Sequence, residues 1–184
     1  GTAPFEEGEA AKVRLISLEA DSKDEVSYAL KQGENPIGRG GNGIAFPSDA
    51  FLASRHATLK VEGTNVTLVA EDTKNGVFKK VLNTQVIGDG AFFRVGQELL
   101  QFSQCATKSG AGVQPLGAEH PTGLWGRLAL ITRGRYVQAA WELTEGKVEI
   151  GRDCGHVAFP EDGYVSARHA VLTPSDEGAI LRDV

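Results

Sequence analysis

Short apolar runs separated by turn residues dominate the chain. The runs are rich in β-branched and aromatic residues, and Gly, Asn and Asp stand between them. No stretch of ten or more residues keeps a helical period with caps. Short strands at about ten-residue spacing are typical of a β-sandwich or barrel. The predicted strands are 13–18, 57–61, 65–70, 77–81, 92–102, 127–132, 136–143 and 147–151.

The chain contains a long internal repeat. Residues 37–59 read IGRGGNGIAFPSDAFLASRHATL, and residues 150–172 read IGRDCGHVAFPEDGYVSARHAVL. Aligned without gaps at an offset of 113, the two segments agree at 11 of 23 positions. An offset of that size is one small domain rather than one solenoid repeat. The sequence therefore predicts two related all-β domains in tandem.

Composition sets the predicted domain boundaries. Residues 106–123 hold four Gly and two Pro without an apolar period, which is typical of a linker. Residues 1–10 read as a flexible acidic tail. The two domains are then expected at 11–105 and 124–184. The chain lacks Met altogether, and we interpret it as a fragment of a longer protein.

Charge and hydropathy exclude two classes of partner. The net charge is -5 and no Lys/Arg block stands out, so a nucleic-acid partner is not expected. The longest unbroken apolar run is four residues, too short for membrane insertion.

The two cysteines, Cys105 and Cys154, are 49 positions apart and neither has ligand-like spacing to a second Cys or His. No metal site and no disulfide scaffold are therefore predicted. A reducing, cytoplasmic compartment is the simpler interpretation.

Two enzyme interpretations fail on context, so neither a cofactor nor a catalytic residue is predicted. The six residues 38–43 match G-x-G-x-x-G, but Pro47 follows and no helix opens there, as a dinucleotide site would need. Ser166 and His169 are only three positions apart, and no G-x-S-x-G motif exists. The protein is therefore interpreted as a binding protein rather than an enzyme.

Three motifs in order resemble the forkhead-associated (FHA) domain. Gly-Arg occurs at 38–39 and 151–152, Ser-Ala-Arg-His-Ala at 166–170, and Thr-Lys-Asn-Gly at 73–76. The resemblance covers nearly all of 11–105 and the first part of 124–184. It implies two FHA-like β-sandwiches and binding of phosphothreonine peptides through loops, as in a signalling or scaffold module. The implied partner is a phosphothreonine protein, such as a kinase substrate.

The chemistry of the repeated residues agrees with that implication. A phosphorylated side chain carries about -1.5 to -2 charge and three strong acceptor oxygens. An Arg guanidinium can grip two of those oxygens, while hydroxyl groups and an Asn amide add short hydrogen bonds. The predicted phosphopeptide-binding residues are Arg39, Ser54, Arg55, Thr73, Asn75, Arg152, Ser166 and Arg168. The resemblance implies structural roles for Gly38, His56, Gly76, Gly151 and His169.

The two domains differ in how well they fit the resemblance. Ala53 occupies the Ser position of the first domain, and Ser54 lies one residue later, where an extended chain turns its side chain to the other face. The second domain is therefore expected to be the better phosphate site. At offset 113 the Asn75-Gly76 pair would fall after Val184. We therefore expect the missing strands of the second domain from further residues or from a separate chain.

Two alternatives remain open. The protein could be an interaction scaffold that does not need phosphate, which the Ala53 substitution favours for the first domain. It could also be a regulatory region of a larger protein. Comparing phosphorylated and dephosphorylated peptides separates the first alternative from phosphate recognition.

Overall fold

The protein is all-β in the residues that its computed structural model describes. These are 13–18, 26–41, 43–71, 73–105, 116–153 and 155–184, and they form strands but no helix. The predicted tail, residues 106–115 of the predicted linker, and Cys154 lie outside the described ranges. The strands, numbered in chain order, are β1 Arg14–Ser17, β2 Val26–Ala29, β3 Gly33–Gly38, β4 Ile44–Ala45, β5 Ala57–Glu62, β6 Asn65–Ala70, β7 Thr84–Ile87, β8 Phe92–Val95, β9 Glu98–Gln104, β10 Gly126–Ile131, β11 Val137–Leu143, β12 Val148–Gly151, β13 Val157–Ala158, β14 Ala170–Ser175 and β15 Gly178–Asp183.

The chain divides into two compact units, Gly1–Phe78 (unit 1) and Lys79–Val184 (unit 2). This differs from the division at 106–123 that composition predicted. The physical reason is strand pairing: β7 pairs with β15, and β9 pairs with β10, so residues 84–104 join the strands of the second repeat. The Gly/Pro segment therefore lies within unit 2.

Unit 1 holds the first repeat in two sheets. The hairpin β1-β2 is one sheet, and the other has the order β4-β3-β5-β6. Its buried apolar cluster is small: Leu30, Leu59 and Val61, with Val13, Leu15, Ile37 and Ile44 packed against them.

Unit 2 is a larger β-sandwich. Its sheets have the orders β11-β10-β9-β8 and β13-β12-β14-β15-β7. Alternating residues of both sheets face each other, as in Leu100 and Leu128 of one and Ile150 and Leu172 of the other, all fully buried. Five residues of this core come from β7, β8 and β9, namely Ile87, Phe93, Val95, Leu100 and Phe102.

The internal repeat is also a structural repeat. Strands β1 to β6 correspond at offset 113 to strands β10 to β15, in order. The loop hydrogen bonds repeat as well: Phe46 N–H donates to Gly38 O at 2.9 Å, and Phe159 N–H donates to Gly151 O at 2.9 Å. The strands that close the second repeat in the structure are β7 to β9. We had expected those strands from residues after Val184 or from a separate chain.

Several predicted strands need correction. Residues 77–81 form no strand, and β7 begins only at Thr84. The predicted strand 92–102 is a hairpin, because the chain turns at Gly96 with φ 57°. A side chain at Gly96 would collide with Asp162, so the turn needs glycine for space as well as for φ.

The described residues include no helix that is long and apolar enough to cross a bilayer.

Candidate functional site

Hydrogen bonds hold three loops of unit 1 together. They are the segment after β3, the segment between β4 and β5, and the segment after β6. Arg39 N–H donates to Ala53 O at 2.8 Å, which joins the first two loops. The ring of His56 joins the second loop to the third, because its Nε2 lies 2.8 Å from Gly76 O.

The His56 ring is buried and bonded at both nitrogens. Ala53 N–H donates to Nδ1 at 3.1 Å, so Nδ1 carries no proton and Nε2–H donates to Gly76 O. The tautomer is thus fixed by the backbone on both sides. Gly76 has φ 66°, a left-handed conformation that favours glycine, and this presents its carbonyl to the ring.

The predicted binding residues of unit 1 lie on these three loops. Arg39 and Ser54 are exposed, and among the described residues neither side chain has a hydrogen-bond or ion-pair partner. The Thr73 hydroxyl accepts from Gly76 N–H at 3.2 Å, and the Asn75 amide donates to Phe51 O at 2.7 Å. Gly38 lets the loops approach, since a side chain there would collide with the Ser54 carbonyl.

Arg55 differs from Arg39 because carboxylates already pair with it. Its Nε donates to Glu71 Oε1 at 2.9 Å, and its guanidinium lies 3.7 Å from Glu34. The hydroxyl of Thr58 also donates to Glu71, and this hydrogen bond, with the Arg55 charge, holds the pKa of Glu71 below its ordinary value. Arg55 therefore offers less unpaired charge than Arg39.

Unit 2 repeats the first two loops. Arg152 N–H donates to Ser166 O at 2.9 Å, the counterpart of the Arg39–Ala53 bond. Ser166 N–H donates to Nδ1 of His169 at 3.1 Å, and His169 N–H donates to Ile150 O. The Ser166 side chain is exposed.

Both predicted binding arginines of unit 2, Arg152 and Arg168, are paired with acids. The Arg152 guanidinium binds both carboxylate oxygens of its neighbour Asp153, each at 3.3 Å. Arg168 pairs with Glu149 at 2.6 Å, and Lys147 pairs with the same oxygen. The hydrogen bond from Lys147, reinforced by the Arg168 charge, keeps the pKa of Glu149 below its ordinary value.

Two features distinguish the loops of unit 1 from those of unit 2. In unit 1, Nε2 of His56 binds the third loop, whereas no described residue binds Nε2 of His169. In unit 1, Gly40 follows the arginine, whereas in unit 2 the acid Asp153 follows it. Sequence reasoning missed the pairing of Arg152, although an acid beside the arginine in only one repeat was a readable signal.

A second feature that the sequence analysis did not predict is the role of Asp162. Asp162 is buried; one carboxylate oxygen accepts from Tyr164 N–H at 2.9 Å and the other from Gln97 N–H at 2.6 Å. It thereby anchors the β8–β9 turn to the loop that leads to Ser166.

Within the described ranges, no group of three His, Cys, Asp or Glu side chains is placed to hold a metal ion. No family model, no curated protein and no solved structure matches the chain.

Proposed function

We propose that this protein binds phosphorylated peptides, with phosphothreonine as the recognised residue, through its Arg39 and Arg152 loops. The choice of phosphothreonine rests on the FHA resemblance. The geometry of the loops that carry Arg39 and Arg152 supports binding of a phosphate group.

The observation that carries the proposal is the state of Arg39. Its guanidinium is exposed and has no ion-pair partner among the described residues, while its backbone is fixed by Ala53. A fixed backbone with an unpaired guanidinium suits a dianionic ligand, because the planar fork can bind two phosphate oxygens at once. Loops held on a rigid β scaffold are a common place for such sites.

Neighbouring groups can complete the contacts. The Ser54 hydroxyl is exposed on the second loop, and the Thr73 and Asn75 side chains lie on the third loop that His56 ties in. The Asn75 amide nitrogen is used by Phe51 O, which leaves its carbonyl oxygen for a peptide N–H.

The two units are not equivalent in this proposal. Unit 1 has an unpaired arginine and three tied loops, but Ala53 stands where the second repeat has a serine. Unit 2 has Ser166 but an arginine that Asp153 already holds. The geometry therefore favours unit 1 as the fuller site, in contrast to the sequence expectation that the second domain binds better.

The test is titration of the whole chain with a phosphothreonine peptide library and its dephosphorylated copy. Replacing Arg39 or Arg152 by Ala removes a charge-assisted pair worth roughly 2–5 kcal/mol, or about 30-fold or more in affinity for that unit. Arg39→Lys should also lose most of the affinity, since an ammonium cannot bind two oxygens in the same plane.

Arg14→Ala is the matched control, because it removes the same charge from exposed β1. Equal binding of both peptide copies would reject phosphate recognition and leave a phosphate-independent scaffold. An equal loss in Arg39→Ala and Arg14→Ala would reject the assigned site.

A further inference from the structure

The two repeats differ in how their sheet edges are used. In unit 2, β7 pairs with β15, and β9 pairs with β10. The strands β6 and β1 are the counterparts of β15 and β10 in unit 1, and no described strand adds to them there: β6 ends the sheet β4-β3-β5-β6, and β1 pairs with β2 alone among the described strands. In its described residues, unit 1 therefore has the six strands of the repeat without the three that close it in unit 2.

Burial shows the effect of the missing strands. Leu181 of β15 is 5% exposed, while its counterpart Leu68 of β6 is 51% exposed. Ala179 is fully buried, while its counterpart Val66 is 42% exposed. The same face of the same strand is thus covered in one repeat and open in the other, and an open apolar edge strand is a ready template for another strand.

The loop that anchors the closing hairpin is also present in unit 1. Asp162 uses one oxygen for Tyr164 N–H and the other for Gln97 N–H of the β8–β9 turn. Its counterpart Asp49 makes the equivalent bond to Phe51 N–H at 2.8 Å. No described residue donates to the second oxygen of Asp49, which is the one that would meet a hairpin turn.

From these three observations we infer that unit 1 is an acceptor for a three-stranded β segment supplied by a partner protein. The segment has one strand that adds to β6 and a hairpin that adds to β1 and reaches Asp49. Its apolar residues alternate as in residues 84–104. Residues 84–104 are themselves engaged in unit 2, so the proposed occupant is a second segment of the same pattern, carried by the partner protein. This interaction is separate from phosphate recognition.

Unit 2 also gives the register of the complex. Ile87 pairs with Ala179 and Gln85 with Leu181, so the partner residues at those positions are expected opposite Val66 and Leu68. Phe102 pairs with Leu128, so the equivalent aromatic residue is expected opposite Leu15. Main-chain hydrogen bonds would supply the pairing, and these apolar positions would supply the selectivity.

The probe for a test is a copy of residues 79–104 carried on a soluble fusion protein. It is added to the whole chain, and amide hydrogen exchange is measured by mass spectrometry. We expect a 1:1 complex in which the β6 amides of residues 65–70 are protected at least about tenfold more, while β15 keeps its protection.

Variants of exposed residues show where the probe binds. Leu68→Lys should weaken binding by at least about tenfold, because it places an unpaired charge on the covered face. Asp49→Asn should weaken binding less, about three- to tenfold, since it keeps the bond to Phe51 and loses the charged acceptor. Thr67→Lys, on the opposite face of the same strand, is the matched control and should leave binding unchanged.

Three results would overturn the inference. The first is unchanged exchange at residues 65–70 at saturating probe. The second is insertion of the probe in place of β7 in unit 2, seen as lost protection of the chain's own residues 84–87. The third is protection of β6 by self-association of the chain without the probe, which sedimentation would detect.

Discussion

The residue that follows each arginine of the proposed sites affects the charge that the arginine could offer to a ligand. In unit 2 this residue is Asp153, whose carboxylate meets the Arg152 guanidinium at two points. In unit 1 it is Gly40, and a side chain there would meet nothing within 4 Å. The loops of the two units therefore differ in an acid beside the arginine, and that acid can be moved from one to the other.

We expect Asp153→Asn to raise the phosphopeptide affinity of unit 2 by about two- to fivefold. An exposed ion pair is worth about 0.2–1 kcal/mol, and the ligand no longer has to break it. Gly40→Asp should lower the affinity of unit 1 by a similar factor. Calorimetric titration of both variants measures the changes; a gain in both variants would contradict the role of the acid.

The two repeated histidines should differ in their contribution to stability. His56→Ala leaves Ala53 N–H and Gly76 O, which are both partly buried, without their ring partner, at a cost of about 1–3 kcal/mol. His169→Ala loses one described bond, to the exposed Ser166, so a smaller cost is expected. Urea unfolding of each variant, followed by hydrogen exchange within each unit, gives the two values. Equal losses of stability in the two variants would contradict the prediction that the additional ring bond of His56 makes it the more stabilising histidine.

At the level of strands, the sequence predicted those strands whose signal lies in the residues of the strand itself. Residues 65–70 were predicted as a strand from their β-branched run, and β6 has those bounds. Strand β3, GENPIG, was missed because Gly33 and Pro36 interrupt any alternation. The run at 77–81 was predicted as a strand, but no described strand pairs with it. Pairing is a tertiary property, and the sequence pattern alone does not carry it.

The counterpart leucines of β6 and β15 give a paired test of the open edge. We expect Leu181→Ala to cost about 2–5 kcal/mol, because it leaves a cavity in a packed core. Leu68→Ala should change the free energy of unfolding by less than about 0.5 kcal/mol, as for exposed positions. Chemical denaturation of both variants measures the contrast. Similar large losses would mean that β6 is covered in solution.

For the whole chain, the sequence revealed the repeat but not the folded units. The offset of 113 and the motifs around Arg39 and Arg152 were readable, and so was the all-β class. The boundary between residues 78 and 79 could not be predicted from the sequence. Residues 84–104 could close either repeat, and only their long-range pairing decides which repeat they close. The binding role of the loops remains a prediction that the titrations above must test.

The observed boundary predicts which fragment folds. Residues 79–184 contain both sheets of unit 2 and should unfold cooperatively on their own. Residues 124–184, the domain expected from the sequence, lack five core residues of β7 to β9 and should not. Circular dichroism during thermal unfolding compares the two fragments. Cooperative unfolding of 124–184 would contradict the assignment of the closing strands.

The pairing of β7 with β15 also bears on how unit 2 folds. Thr84 and Arg182 are opposite each other in the sheet although 98 positions separate them in the chain. During synthesis the first strand of the unit must wait for the last before that edge can form. Such a large sequence separation between paired strands predicts slow folding, in the range of milliseconds to seconds. The entropy of loop closure is lost before the contacts of the sheet can stabilise the unit. Until then the apolar residues of β8 and β9 that pack against that sheet stay exposed in the nascent chain, a condition that favours aggregation.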